Sequence, residues 1–288
     1  MIISDDILQE QLECVEHWLP KVLQLMAEPD LMAWFADDFA LRFCWSSNAI
    51  EGNTLSLDET VALMEFDEVR SGHTYSEYQD AKNLYYAIRT SMIPFHQEEI
   101  TEDWIKKNNG MICGDEGEYR SKNNRIGNQF ETAYVPPDFT RVPGLMCDFA
   151  DTVNFGSGTL YEIFKQFSIQ HMTFERIHPF LDGNGRTGRM ILNQQLINNG
   201  FLPVALSKNS SYMQAFRQYG RNGDYSKMLH EILKGEKEAI DRLFAFEKKR
   251  KQGLNWSPKM TLEDQIRAAD KLQANKLLPA AHKSFQER

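Results

Sequence analysis

His178-Pro179-Phe180-Leu181-Asp182-Gly183-Asn184-Gly185-Arg186-Thr187-Gly188-Arg189 gathers an imidazole, a carboxylate, two guanidinium groups and three glycines into one short stretch. No Asp or Glu follows Asp182 until Asp224. Between them lie Arg186, Arg189, Lys208, Arg217 and Arg221, five positive charges and no negative ones over 41 residues of a chain whose formal charge is −9. Met190–Ile197 reads as the continuation of a helix that begins near Gly185 and is stopped by Asn198-Asn199-Gly200. The first turn of such a helix leaves N–H groups unpaired and carries partial positive charge. Gly183 and Gly185 remove side chains that would block close backbone approach. Arg186 and Arg189 are three apart and share a helix face. The stretch therefore predicts an anion nest suited to a polyphosphate. Asn184 adds an amide donor, Asp182 is placed to hold Mg²⁺ against phosphate oxygens, and the His178 imidazole can take a proton from an attacking hydroxyl.

Two other readings of the glycines fail on context. Gly183-x-Gly185-x-x-Gly188 matches the dinucleotide fingerprint in letters. No βαβ strand precedes it, and the acidic ribose ligand expected about 20 residues on is absent. No Gly-Lys-Ser/Thr follows, so it is not a P-loop. A plain helix–helix connection, which uses glycines too, stays open as the alternative.

Working outward, the chain reads as helix almost throughout. Ile7, Leu8, Leu12, Val15, Leu19, Val22, Leu25 and Met26 recur at helical spacing, with Pro20 and Pro29 expected to interrupt, giving two or three helices over 4–50. Gly52 suits the C′ position after Leu31–Ile50. Ser56-Leu57-Asp58-Glu59 is a capping box for a helix over roughly 57–70, ended by Gly72, and Thr159-Leu160-Tyr161-Glu162 is another. Further helices are expected over 76–92, from 101 to 113, after Val142, over 212–219 and over 225–246. The texture changes at 114–144, where Gly114, Gly117, Gly127, Pro136, Pro137, Pro143 and Gly144 break any helix. Two short extended runs there, Arg125-Ile126 and Thr132–Val135, read as a β-hairpin, with an irregular loop as the alternative. The fold class is mostly α with one small hairpin.

Composition excludes several classes. At 288 residues, 42% hydrophobic and 11% aromatic, the chain can build a sizeable core. The acidic balance argues against broad nucleic-acid binding. Residues 245–288 nevertheless hold ten Lys/Arg against five Asp/Glu, a basic tail best read as a solvated extension. No apolar run is long enough for a membrane span, and the first residues lack the basic-then-apolar order of a signal peptide. Cys14, Cys44, Cys113 and Cys147 show no CxxC spacing, which predicts reduced thiols and a cytoplasmic setting.

The stretch 178–189 resembles the signature of the Fic (filamentation induced by cAMP) family, HPFx[D/E]GNGRxxR, with every fixed position matched. The resemblance implies a Fic-like helical bundle with a small β-hairpin flap near 120–135. It also implies transfer of AMP from ATP to a Ser, Thr or Tyr hydroxyl of a target protein, with pyrophosphate released. On that likeness His178 is the base and Asp182 binds Mg²⁺. Asn184, Gly185 and Arg186 cradle the α- and β-phosphates, with Gly183 also in the phosphate-binding set, Arg189 holds the γ-phosphate, and Tyr212 contacts adenine. Ser47-Asn48-Ala49-Ile50-Glu51-Gly52 resembles the family's inhibitory pattern [S/T]xxxE[G/N], placed N-terminally as in class II. There the carboxylate of Glu51 would sit on Arg189 in place of the γ-phosphate.

The implied organisation is an N-terminal helical region 1–98 with the inhibitory motif 47–52, a Fic core 99–245, and the basic tail 246–288. Partners implied are a target protein docked on the flap by main-chain pairing and a possible homodimer, with no membrane and with DNA unfavoured. The rival functions are removal of AMP by the same site, with Glu51 positioning a water, and a non-catalytic nucleotide sensor.

Overall fold

The computed structural model of the chain describes residues 3–127, 132–154, 156–207 and 210–254. The expected tip of the hairpin and the basic tail beyond Leu254, with Trp256, lie outside them. Among the described residues the order is α1 (Asp5–Met26), α2 (Pro29–Ile50), α3 (Leu57–Phe66), α4 (Tyr75–Ser91) and α5 (Glu102–Cys113). Two short strands follow, β1 (Ile126–Gly127) and β2 (Thr132–Tyr134). Then come α6 (Val142–Val153), α7 (Leu160–Ile177), α8 (Asn184–Asn198), α9 (Ser210–Asn222) and α10 (Ser226–Lys251). β1 and β2 pair antiparallel, Ile126 opposite Tyr134, with an irregularity at Gly127.

Local chemistry explains most of these boundaries. Both expected capping boxes form, Ser56 with Glu59 and Thr159 with Glu162, and Thr74 with Glu77 makes a third at the start of α4. Pro20 does not interrupt α1, contrary to expectation. It stands on the exposed face, where the carbonyl its ring orphans can turn to water, while Val15, Val22 and Leu25 carry the buried face past it. α3 is shorter than expected: Asp67 takes the left-handed conformation (φ 55°) and closes the helix at Phe66, ahead of Gly72.

Two hydrophobic clusters form the interior. The larger joins α2, α4, α5 and α6 through Phe35, Phe43, Leu84, Ile105 and Phe149, reaching Phe174, Phe180 and Ile191. The second joins α1, α9 and α10 through Val15, Tyr212, Met228 and Ile232, reaching Phe164, Phe167, Leu192 and Leu196. α7 and α8 contribute to both, so α8 runs between them and is buried on nearly every side. Its polar side chains are correspondingly used. Asn193 donates to the Arg189 and Val204 carbonyls and accepts the Val204 N–H, pinning the segment after α8 along its flank.

Asn193→Ala leaves the Val204 N–H and C=O unpaired in a dry interior. It is expected to lower unfolding free energy by about 2–3 kcal/mol, measurable by urea titration.

Candidate active site

Residues 178–183 form the turn between α7 and α8, with His178 and Gly183 in the left-handed conformation, and 184–189 are the first residues of α8. His178 is the C-cap of α7 at φ 50°, ψ 60°, a conformation a non-glycine residue holds only when its surroundings demand it. They do so here through two hydrogen bonds: its N–H donates to the Phe174 carbonyl at 3.0 Å, and its carbonyl accepts from Arg120 Nε at 2.9 Å. Arg120 also donates to the carbonyls of Lys122 and Pro137, and its own N–H donates to the Pro179 carbonyl. One buried arginine thereby ties the segment bearing β1 and β2 to the backbone of the motif. The sequence reading did not single it out, because nothing local marks it. The His178 imidazole is largely buried, and burial pushes its pKa below the usual value. Its Nδ1 has no hydrogen-bond partner among the described residues.

Gly183 is the N-cap of α8 at φ 74°. A Cβ there would overlap the Cys113 thiol and the Asn109 amide, so only glycine lets α8 start this close to α5. Asn109 Nδ2 fixes the turn by donating to the Asp182 carbonyl (3.0 Å) and to Thr187 Oγ1 (3.1 Å). Asn184 plays a different part from the expected phosphate donor. Its Oδ1 accepts the Phe180 N–H and its Nδ2 donates to the Phe180 carbonyl, so the side chain builds the loop, and only its backbone can face an anion. Asp182 accepts the Gly183 N–H on Oδ1 at 2.7 Å, and its side chain is 80% exposed. Among the described residues no group of three His, Cys, Asp or Glu could hold a metal unaided. One open carboxylate fits a magnesium ion delivered on a polyphosphate, since Mg²⁺ commonly takes one or two carboxylates and completes its shell with phosphate oxygens and water.

Both arginines of the nest are buried and paired. Arg186 donates to Asp80 at 2.8 Å and approaches Asp182 at 3.5 Å. Asp80 lies 106 residues away on α4, and no feature of the sequence announced it. Arg189 is 2% exposed at its side chain. Its Nε donates to Ser47 Oγ (2.8 Å), and its Nη2 donates to the Ser47 carbonyl (3.0 Å) and to Glu51 Oε1 (2.6 Å).

The geometry of α2 puts Glu51 there. Glu51 is the C-cap, and Gly52 at φ 104° is the expected C′ residue. The Gly52 N–H donates to the Ala49 carbonyl and the Asn53 N–H to the Asn48 carbonyl, a Schellman closure. The Glu51 N–H also turns to Ala49, and the Ser47 carbonyl takes its bond from Arg189. The guanidinium thus caps α2. Ser47, Glu51 and Arg189 come together as the resemblance implies. A Cβ on Gly185 would overlap Glu51 Oε1, so the carboxylate lies over the first turn of α8, against the backbone expected to receive phosphate.

Tyr212 departs from its expected role. It is buried in the second cluster, with its hydroxyl on His171 Nε2 (2.9 Å) and Arg189 Nη1 (3.4 Å). The ring has no open face for a base to stack on. Glu175 was also missed, reading as one more polar residue on α7. Its Oε1 is buried beside Gly188 without a hydrogen-bond partner among the described residues. Burial pushes its pKa up to about 8, against the pull of Arg189.

The fold is a helical bundle in which two buried arginines and a glycine-rich turn meet at the start of α8. Residues 99–196 match the Fic/DOC family, and this part of the chain is a Fic/DOC domain. The chain is 27% identical over 204 residues to protein adenylyltransferase fic-1 of Caenorhabditis elegans, covering 69% of this chain and 40% of that protein. It is 26% identical over 241 residues to protein adenylyltransferase Fic of Nematostella vectensis, covering 82% of this chain and 56% of that one. The chain thus spans about half the length of these relatives. In structure it is similar to a Fic domain-containing signaling protein of Bacteroides thetaiotaomicron, with a TM-score of 0.67 at 21% identity, covering 81% of this chain and 96% of that one.

Because water is kept from the imidazolium, the His178 ring should protonate only below the ordinary imidazole value of about 6.5. A pH titration of its ring protons by NMR measures this, and a midpoint at or above that value would contradict the burial argument.

Proposed function

We propose that the chain is a self-inhibited protein adenylyltransferase. The observation that carries this reading is the pairing of an anion nest on a buried helix with an imidazole held toward its neutral form six residues ahead of that helix. The names of the relatives support the choice of ATP as the anion. In this reading the triphosphate lies over the first turn of α8, facing the Asn184–Arg186 backbone and the two arginines, with Asp182 holding Mg²⁺, which would neutralise phosphate charge. His178 takes the proton from a target Ser, Thr or Tyr hydroxyl. The hydroxyl oxygen forms a bond to the α-phosphorus, the bond from that phosphorus to the bridging oxygen breaks, and pyrophosphate departs. The protein's contribution is positioning and charge stabilisation.

The same reading assigns the β1–β2 segment to target docking. In support, Arg120 ties its base to the His178 carbonyl, and the Arg176 guanidinium lies over the Tyr134 ring at 4.5 Å. Inhibition follows from electrostatics. Glu51 gives Arg189 a carboxylate where a phosphate would bind, and its negative charge repels the incoming anion.

Glu51→Gly is expected to raise AMP transfer from labelled ATP at least about tenfold, the effect of removing one charged competitor. His178→Ala in that background is expected to abolish transfer while ATP still binds. Absence of any gain in Glu51→Gly sinks the inhibition reading, and undiminished transfer without His178 sinks the proposed mechanism.

A further inference from the structure

Arg189 is held from two sides, and the two supports differ in kind. One side is α2, through Ser47 and Glu51. The other is a chain of buried groups on α9 and α7. His171 is 1% exposed, with Nδ1 3.2 Å from the Gly188 carbonyl and Nε2 2.9 Å from the Tyr212 hydroxyl. A carbonyl can only accept, so Nδ1 must carry the ring proton. Burial pushes the His171 pKa down to about 3, with Arg189 adding to the effect, so the ring is neutral and Nε2 is an acceptor. The Tyr212 hydroxyl must then donate to Nε2, and burial holds it protonated. Its oxygen is thereby turned toward Arg189 as an acceptor for Nη1. Every hydrogen in the series points the same way, from Arg189 through Tyr212 and His171 to the carbonyl of Gly188, the residue before Arg189.

We infer that His171 and Tyr212 are positioning residues for Arg189, and that they form its standing anchor when the end of α2 withdraws. Ser47 and Glu51 sit on one helix end and would leave together, whereas Tyr212 belongs to a different helix. Without it, an arginine released from α2 would have lost its Ser47 and Glu51 contacts and would be free to adopt other rotamers, and ordering it again would weaken every phosphate contact it makes. The inference rests on the reading of Arg189 as a phosphate ligand. It gives Tyr212 a place in the site without contact to the nucleotide base.

The test uses the full chain carrying Glu51→Gly. Tyr212→Phe removes the acceptor for Arg189, and His171→Asn keeps a donor for the Gly188 carbonyl but loses the acceptor for Tyr212. Each is expected to raise the KM for ATP about three- to tenfold, the worth of one hydrogen bond to a charged group at long range, with kcat little changed. His171→Gln places an amide oxygen where Nε2 was and should restore the parent KM. Tyr212→Phe with His171→Asn should be no worse than Tyr212→Phe alone, since both break one chain. Equal behaviour of the Asn and Gln variants, or an unchanged KM in Tyr212→Phe, overturns the inference. The ¹⁵N shifts of His171 in the unmutated protein give a check independent of nucleotide. They should report the proton on Nδ1, and a ring protonated on Nε2 refutes the chain whether or not AMP is transferred. If Glu51→Gly neither binds ATP nor transfers AMP while the Nδ1 proton is found, the functional reading fails and the buried chain stands as a structural support of Arg189 alone; the positioning role is then refuted.

Discussion

A guanidinium almost wholly withdrawn from water is the constraint around which this structure is arranged. Arg189 cannot lose its charge at any ordinary pH, and an uncompensated buried charge is prohibitive. Its donors must therefore be met from the protein, and the groups that meet them come from the end of α2, from α9 and, one bond further on, from α7. The convergence of these helices on one point of α8 is the structural answer to that requirement. It also means that the arginine is matched to an anion before any ligand arrives. Glu51 supplies the negative charge, and exposure of 44% at its side chain leaves it open to exchange with solvent.

The surroundings of α8 magnify the effect. A helix N-terminus on a protein surface is worth little to an anion, because water and salt screen it. Here the first turn lies at the meeting of two hydrophobic clusters, with Phe180 in one and Tyr212 in the other. The N–H groups and arginines act at short range in a poorly polarisable medium, so each would count for more to an anion placed there. The lowered pKa of His178 and the raised pKa of Glu175 follow from the same dryness.

What could be read from the sequence was what is local. The nest spans a few residues, so its glycines and arginines announced it, and the capping boxes at Ser56 and Thr159 formed as read. The exception, Pro20, was misjudged because its cost depends on which face meets water, which spacing alone did not weigh. Glu51 on Arg189 joins residues 138 apart and was reached through resemblance. Asp80 on Arg186, Arg120 on the His178 carbonyl, and His171 under Tyr212 were not reached at all. Each is an unremarkable polar residue on a helix or loop, and its partner exists only once the chain has folded. Asn184 and Tyr212 were found, but their side chains meet the Phe180 backbone in one case and His171 and Arg189 in the other. Spacing places a residue near a site without saying which atoms its neighbours will claim.

The capping of α2 by Arg189 makes that helix a rod fastened at both ends. Its 22 residues span about 33 Å. At one end the Ser47 carbonyl and Glu51 rest on Arg189. At the other, the N-cap Glu28 is held by Arg250 from the last turn of α10 at 2.7 Å. One helix thus joins two ion pairs, so the last turn of α10 and the first turns of α8 share α2 as their common support.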